Sequence, residues 1–203
     1  KRSEKASGQV WDLGIRTVKA GHPSSVLLEE SVWKADFYRL VRPKQGPQSW
    51  LAADVELEKS AGMARGEARF SVDGAFIGTG AFSFFGKKGT LYFGSDPFVT
   101  ATMAEDVRRS GTEGVIIGRR NTYEWKWNIK VRNTHEKAVK VRVEDAAPLA
   151  GDKRIVVAGD SQPAPRKVQN TLVWDIDAAP GETAITHSVK AEAPSDMNLR
   201  RGR

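Results

Sequence analysis

Between Tyr123 and Arg132 the chain switches character at every residue: Tyr123, Trp125, Trp127, Ile129 and Val131 alternate with Glu124, Lys126, Asn128, Lys130 and Arg132. Successive side chains of an extended strand point to opposite faces, whereas a helix would scatter this pattern around its circumference. The run therefore predicts a strand with one apolar and one wet face, about 30 Å long at ~3.3 Å per residue. A strand of this kind has to cover its apolar face with a second layer, and that requirement shapes the rest of the reading.

The same rhythm recurs on both sides. Val139, Val141 and Val143 alternate with Lys140, Arg142 and Glu144 after the polar segment Asn133-Thr134-His135-Glu136-Lys137, which predicts an antiparallel hairpin. Leu172, Trp174 and Ile176, then Pro180-Gly181, then Ile185, His187 and Val189 predict a second. Upstream, Leu13, Ile15 and Val18 read as a first strand. Trp33, Ala35, Phe37 and Val41 form an apolar face opposite Lys34, Asp36 and Tyr38. Leu51, Ala53, Val55 and Leu57 alternate with Asp54, Glu56 and Glu58, and Asp73-Gly74 suits a type I′ hairpin turn between Phe70 and Ile77. Gly86-Lys87-Lys88-Gly89 reads as a turn before the return strand Thr90-Leu91-Tyr92-Phe93. Only Ala101 to Arg109 keeps a helical alternative, through Met103 and Val107. The expected fold is all-β and antiparallel, in two modules: residues 1–110, and residues 111–203 as an immunoglobulin-like β-sandwich.

Composition narrows the chemistry by exclusion. The 203 residues contain no cysteine, so there is no disulfide framework, thiolate nucleophile or cysteine-based metal site. No segment approaches the roughly 18 consecutive apolar residues of a membrane helix. The net charge of +7 admits anionic partners without demonstrating one. The chain opens Lys1-Arg2-Ser3-Glu4-Lys5 with no apolar leader, which reads as a tract of a longer precursor.

Several stretches together resemble the C-terminal domain of unknown function of mucoidy inhibitor A-like proteins (domain of unknown function 4139). They are Trp50-Leu51-Ala52-Ala53, the hairpin Ala68 to Gly78, Leu91 to Pro97, Ile129 to Asn133, Val141 to Pro148, Leu172 to Ile176 and Pro180-Gly181-Glu182. They span roughly residues 30 to 195. The resemblance implies an envelope-associated bacterial protein, periplasmic or in the cell envelope, with a further β domain and a coiled coil ahead of this segment. It transfers no catalytic residue and no cofactor.

Trp125 and Trp127 could stack on a sugar, but the aliphatic continuation through Ile129 and Val131 favours a core stripe. Trp11, Trp33 and Trp50 lie outside such a stripe and are the candidate ligand-stacking residues. Lys126, Lys130 and Arg132, with Lys140 and Arg142 across the expected hairpin, could form a basic outer face, yet Glu124 and Glu144 interleave it, so nucleic acid is disfavoured. His22, His135 and His187 lack ligand spacing, and His187 belongs to an inward face. Asp54, Glu56 and Glu58 read as solvated carboxylates. Gly86-Lys87-Lys88-Gly89-Thr90 fails the phosphate-loop spacing, and no catalytic motif is present. The expectation is a non-catalytic interaction or structural domain with a protein or envelope-polysaccharide partner, the alternatives being a polysaccharide-binding or carbohydrate-processing protein and basic-face nucleic-acid binding.

Overall fold

The computed structural model describes residues 2–5, 8–107, 120–197 and 199. They divide into two compact units, Lys1–Lys34 and Ala35–Arg203. In the first, β1 (Arg2–Lys5) and β2 (Gly8–Trp11) pair as an antiparallel hairpin. Residues 12–34 contain no strand, contrary to the expectation for Leu13 to Val18. Gly14 and Gly21 there adopt left-handed φ of 64° and 75°, and Pro23 has no N–H to offer a ladder.

The second unit has nine described strands: β3 (Ala35–Val41), β4 (Gln48–Val72), β5 (Ala75–Glu105), β6 (Arg120–Asn133), β7 (Val139–Ala146), β8 (Val156–Gln162), β9 (Arg166–Val168), β10 (Thr171–Ala178) and β11 (Gly181–Pro194). All nine belong to one sheet, in the order β8-β11-β6-β5-β4-β3-β7-β10-β9. Every pairing is antiparallel except that of β3 with β7.

The sheet folds over on itself. Five strands separate β10 from β11 in the order, yet Trp174 of β10 and Ile185 of β11 share one buried cluster with Val41, Val99, Ile129, Val131, Val141 and Val143. The Trp174 ring meets the His187 ring edge-on at 5.5 Å between centroids. The two edge strands β8 and β9 follow each other in sequence through Pro163 and Pro165, which cannot donate to a ladder. A smaller cluster of Tyr38, Leu40 and Ala52 fills the other face of β3 and β4. Tyr38 is consequently buried and Phe37 is 45% exposed, the reverse of the facing expected from sequence.

The β4–β5 ribbon turns at Asp73-Gly74, with φ of 50° and 80°, as the sequence predicts. It is not straight. At about 3.3 Å per residue a straight ribbon would hold Phe70 tens of ångströms from Phe93. Their rings nevertheless lie 6.1 Å apart, with Phe37 5.5 Å from Phe93. The bending sites are shifts in register beside Gly78, Gly86 and Gly94, whose φ values of 153°, 105° and 122° are costly for a residue with a Cβ. Gly86-Lys87-Lys88-Gly89 is therefore a kink within one strand and not the turn expected. Residues up to Glu105 continue β5, so no helix forms over the described part of Ala101 to Arg109.

Two further expectations are corrected. β6 and β7 are not a hairpin: β5, β4 and β3 lie between them. β10 and β11 are not a hairpin either, since β10 pairs with β7 and β9 while β11 pairs with β6 and β8. Alternation fixes which side chains face inward, but it is silent on which strand becomes the neighbour. The nine described strands of the second unit form a single antiparallel-dominant sheet, in which two β modules and an immunoglobulin-like sandwich are not distinguished. The expected boundary at residues 110 and 111 lies outside the described residues, and β5 and β6 on either side of it are paired.

Candidate functional site

Among the described residues of the second unit, three polar clusters are satisfied internally. The first is buried between β8 and β11. Ser161 Oγ and His187 Nδ1 are 2.6 Å apart, and the imidazole stacks on Trp127 at 5.5 Å. The pair superficially has the composition of a nucleophile and its base. Ser161 and His187 are nonetheless only 9% and 4% exposed, and the imidazole is packed between two indoles. Removal from water is the largest influence on His187 and holds its pKa below the ordinary 6.5. The unfolded chain therefore takes up this proton first as pH falls. The contribution to stability is complete above pH 6.5 and is lost as pH drops toward the folded value. We expect urea midpoints to fall below pH 6.5 in the parent and to fall less in His187→Gln; equal slopes would contradict this placement.

The second cluster surrounds Asp96. Its carboxylate accepts from Arg39 Nε at 2.9 Å and the Phe98 amide at 3.0 Å, and it contacts His135 Nε2 at 2.9 Å. Burial alone would raise its pKa, but the hydrogen bonds from Arg39 and His135 hold it below the usual carboxylate range. With its acceptor sites occupied, Asp96 ties the β5 kink to the β6–β7 connection.

The third cluster crosses six neighbouring strands on one face. Thr90 of β5 donates to Asp54 of β4 at 2.7 Å, and Tyr38 of β3 donates to the same oxygen at 3.0 Å. Arg142 of β7 bridges Asp54 and Asp175 at 2.7 Å each, and Arg166 of β9 reaches the other oxygen of Asp175 at 2.7 Å. The guanidinium lies 3.7 Å from the Tyr38 ring centroid. Burial and then the bond to Asp54 push the Tyr38 phenol up to about 12. Burial opposes the charge on Arg142, and the carboxylates of Asp175 and Asp54 outweigh it, raising its pKa. Arg142→Lys should lose about 1–2 kcal/mol in urea unfolding, because an ammonium cannot bridge two carboxylates and cover a ring at once. An unchanged midpoint would show that the row is ornamental.

The residues singled out from sequence are distributed over both units. Trp11 and Trp33 are half-buried in the first unit, while Trp50 of β4 is 49% exposed. Trp125 and Trp127 are also half-buried, and only Trp174 of the expected core indoles is enclosed. The five bases belong to two separated strands. Lys130 pairs with Glu182, Lys126 with Glu124, Lys140 with Asp36 and Arg142 with two aspartates. Arg132 is exposed. Among the described residues, the bases of β6 and those of β7 stand apart, with β5, β4 and β3 between them. Among the described residues, no three histidine, aspartate or glutamate side chains gather as a metal site would need.

The sequence reading missed the outer face of β6, β11 and β8. The register aligns Asn128, Thr186 and Gln162 in one transverse row and Lys126, Ser188 and Asp160 in the next. A cleft of about 220 Å³ lies over these rows, with Asp106 also lining it. The Asp106 amide donates to the Lys126 carbonyl at 2.8 Å, fixing that end. The rows could not be found by inspection, because their residues come from three segments whose pairing the alternation does not specify.

No curated protein matches the chain. The sequence pattern of the family described as "Domain of unknown function (DUF4139)" matches residues 2–195, nearly the whole length and more than the stretches that suggested it. With the ordered motifs of β4 to β11 in place, the chain belongs to this family, that of the mucoidy inhibitor A-like proteins.

Proposed function

We propose that the chain is a non-catalytic interaction domain of a bacterial cell-envelope protein, acting through the outer face of β6, β11 and β8. The observation that carries this is the contrast between two stretches of the sheet's outer face. Across β5, β4, β3, β7, β10 and β9 the polar groups close on one another. Across β6, β11 and β8 they line an open cleft. Rigid strands present such groups at fixed spacing, which suits recognition. The saturated Asp96 and enclosed Ser161–His187 pairs favour structural over catalytic roles.

No helix among the described residues is long and apolar enough to cross a membrane. The envelope assignment rests on the family resemblance. Fractionation of cells making the full-length protein tests it: the protein is expected in the periplasmic or envelope fraction, and recovery with cytoplasmic markers contradicts it. Turnover of an envelope glycan by the purified protein would contradict the non-catalytic part.

A further inference from the structure

We propose that the cleft over β6, β11 and β8 binds one neutral, hydroxyl-rich glycosyl unit of a glycan, an assignment that rests on the reading of the chain as a binding domain. Five side chains define it: Asn128, Asp160, Gln162, Thr186 and Ser188. None of the five makes a side-chain hydrogen bond or ion pair within the described structure. This is the reverse of the opposite row, where Arg142 alone holds two carboxylates. The alternating residues Trp127, Ser161 and His187 also line the cleft, and their side chains, on the inward side of the strands, are locked to one another by the stack of Trp127 on His187 and the 2.6 Å contact of Ser161 with His187. That packing stiffens the strands that carry the five polar groups before any ligand arrives.

Spacing and chemistry select the ligand class. Adjacent strands are about 4.8 Å apart, and same-face residues along a strand about 6.7 Å, so two rows over three strands make a patch roughly 10 by 7 Å. That is the footprint of one sugar ring with its hydroxyls, and the 220 Å³ volume suits a single unit. The five side chains mix amide and hydroxyl donors with amide, hydroxyl and carboxylate acceptors, and a sugar hydroxyl both donates and accepts. An apolar ligand would strip water from all five with nothing in return. An anion would meet the Asp160 carboxylate, and among the described lining residues Lys126, the one lysine or arginine, is already 3.2 Å from Glu124. The exposed Asp160 carboxylate thus disfavours phosphate, uronate and nucleic acid at this spot, although the chain carries a net charge of +7.

The test is a nitrogen-15 amide titration of the purified chain with maltotetraose, cellotetraose and chitotetraose, with a galacturonic acid tetramer as the anionic control. A neutral tetramer should shift the amides of residues 126–128, 160–162 and 186–188, with little dependence on salt. The double variant Asn128→Ala/Thr186→Val, at exposed positions, should keep its thermal midpoint and lose about tenfold in affinity, and Asp160→Asn should weaken binding without creating affinity for the galacturonate. Shifts mapping elsewhere, or equal binding by the double variant, would overturn the site. Silence of all three neutral tetramers would overturn the saccharide assignment, whereas recovery of the protein with cytoplasmic markers would overturn the envelope reading on its own. Hydrolysis of a tetramer would overturn both.

Discussion

Trp174→Ala should lose about 3–5 kcal/mol of unfolding free energy, the largest effect of any single substitution considered for this chain. Trp174 is 1% exposed and belongs to the cluster that joins β10 to β11. Its indole nitrogen donates to the Pro163 carbonyl at 3.0 Å, and its ring meets His187. Truncation therefore leaves a cavity at the contact that holds the folded-over sheet closed, and it also strands a carbonyl. Trp174→Phe should lose less, about 1–3 kcal/mol, because most of the volume is kept while the hydrogen bond is not. Trp50→Ala supplies the contrast: at 49% exposure it should change stability by about 1 kcal/mol or less. Urea denaturation followed by circular dichroism measures all three. A loss below about 1 kcal/mol for Trp174→Ala would remove this residue from the core.

Asn133 should be the second most sensitive position. It is 2% exposed, and its amide nitrogen donates to the Lys137 carbonyl at 3.0 Å and to the Ala178 carbonyl at 2.9 Å. Its oxygen accepts from the His135 amide at 2.9 Å. One side chain thus fixes the connection leaving β6 and pins it to the end of β10. Removing it as Asn133→Ala leaves three backbone groups without that partner, an expected loss of about 2–4 kcal/mol. Asn133→Asp should be at least as damaging, because a carboxylate has no N–H and would face two carbonyl oxygens. If Asp proves better tolerated than Ala, the amide is not donating as described.

The inward stripe was legible in sequence because it depends on neighbours two residues apart. Ile129, Val131, Val141, Val143, Trp174 and Ile185 all reach the buried cluster that their alternation predicts. The Asp73-Gly74 turn was equally legible, being a local matter of left-handed φ. What could not be read was long-range. The chain leaves β6 for a strand three places beyond its nearest partner, so an expected hairpin becomes a crossover. Tyr38 and Phe37 exchange faces because β3 is covered on both sides, and a simple two-face pattern then loses its meaning. The same physics hid the cleft. Asn128, Gln162 and Thr186 are unremarkable separately, and only the register of three strands sets them in one row. The ion pairs of the basic residues were hidden for the complementary reason, since the carboxylates that Lys130, Lys140 and Arg142 meet are distant in sequence.

Strand order is the premise on which both the closed row and the open cleft depend, and a chain without cysteine allows it to be measured directly by introduced pairs. Thr102 and Lys130 are register partners on β5 and β6, and both are exposed. At a spacing of about 5 Å between strands, Thr102→Cys with Lys130→Cys should oxidise to an intrachain disulfide. Lys130→Cys with Lys140→Cys, the pair a β6–β7 hairpin would bring together, should stay reduced under the same conditions. Cross-linking of the second pair in place of the first would contradict the sheet order.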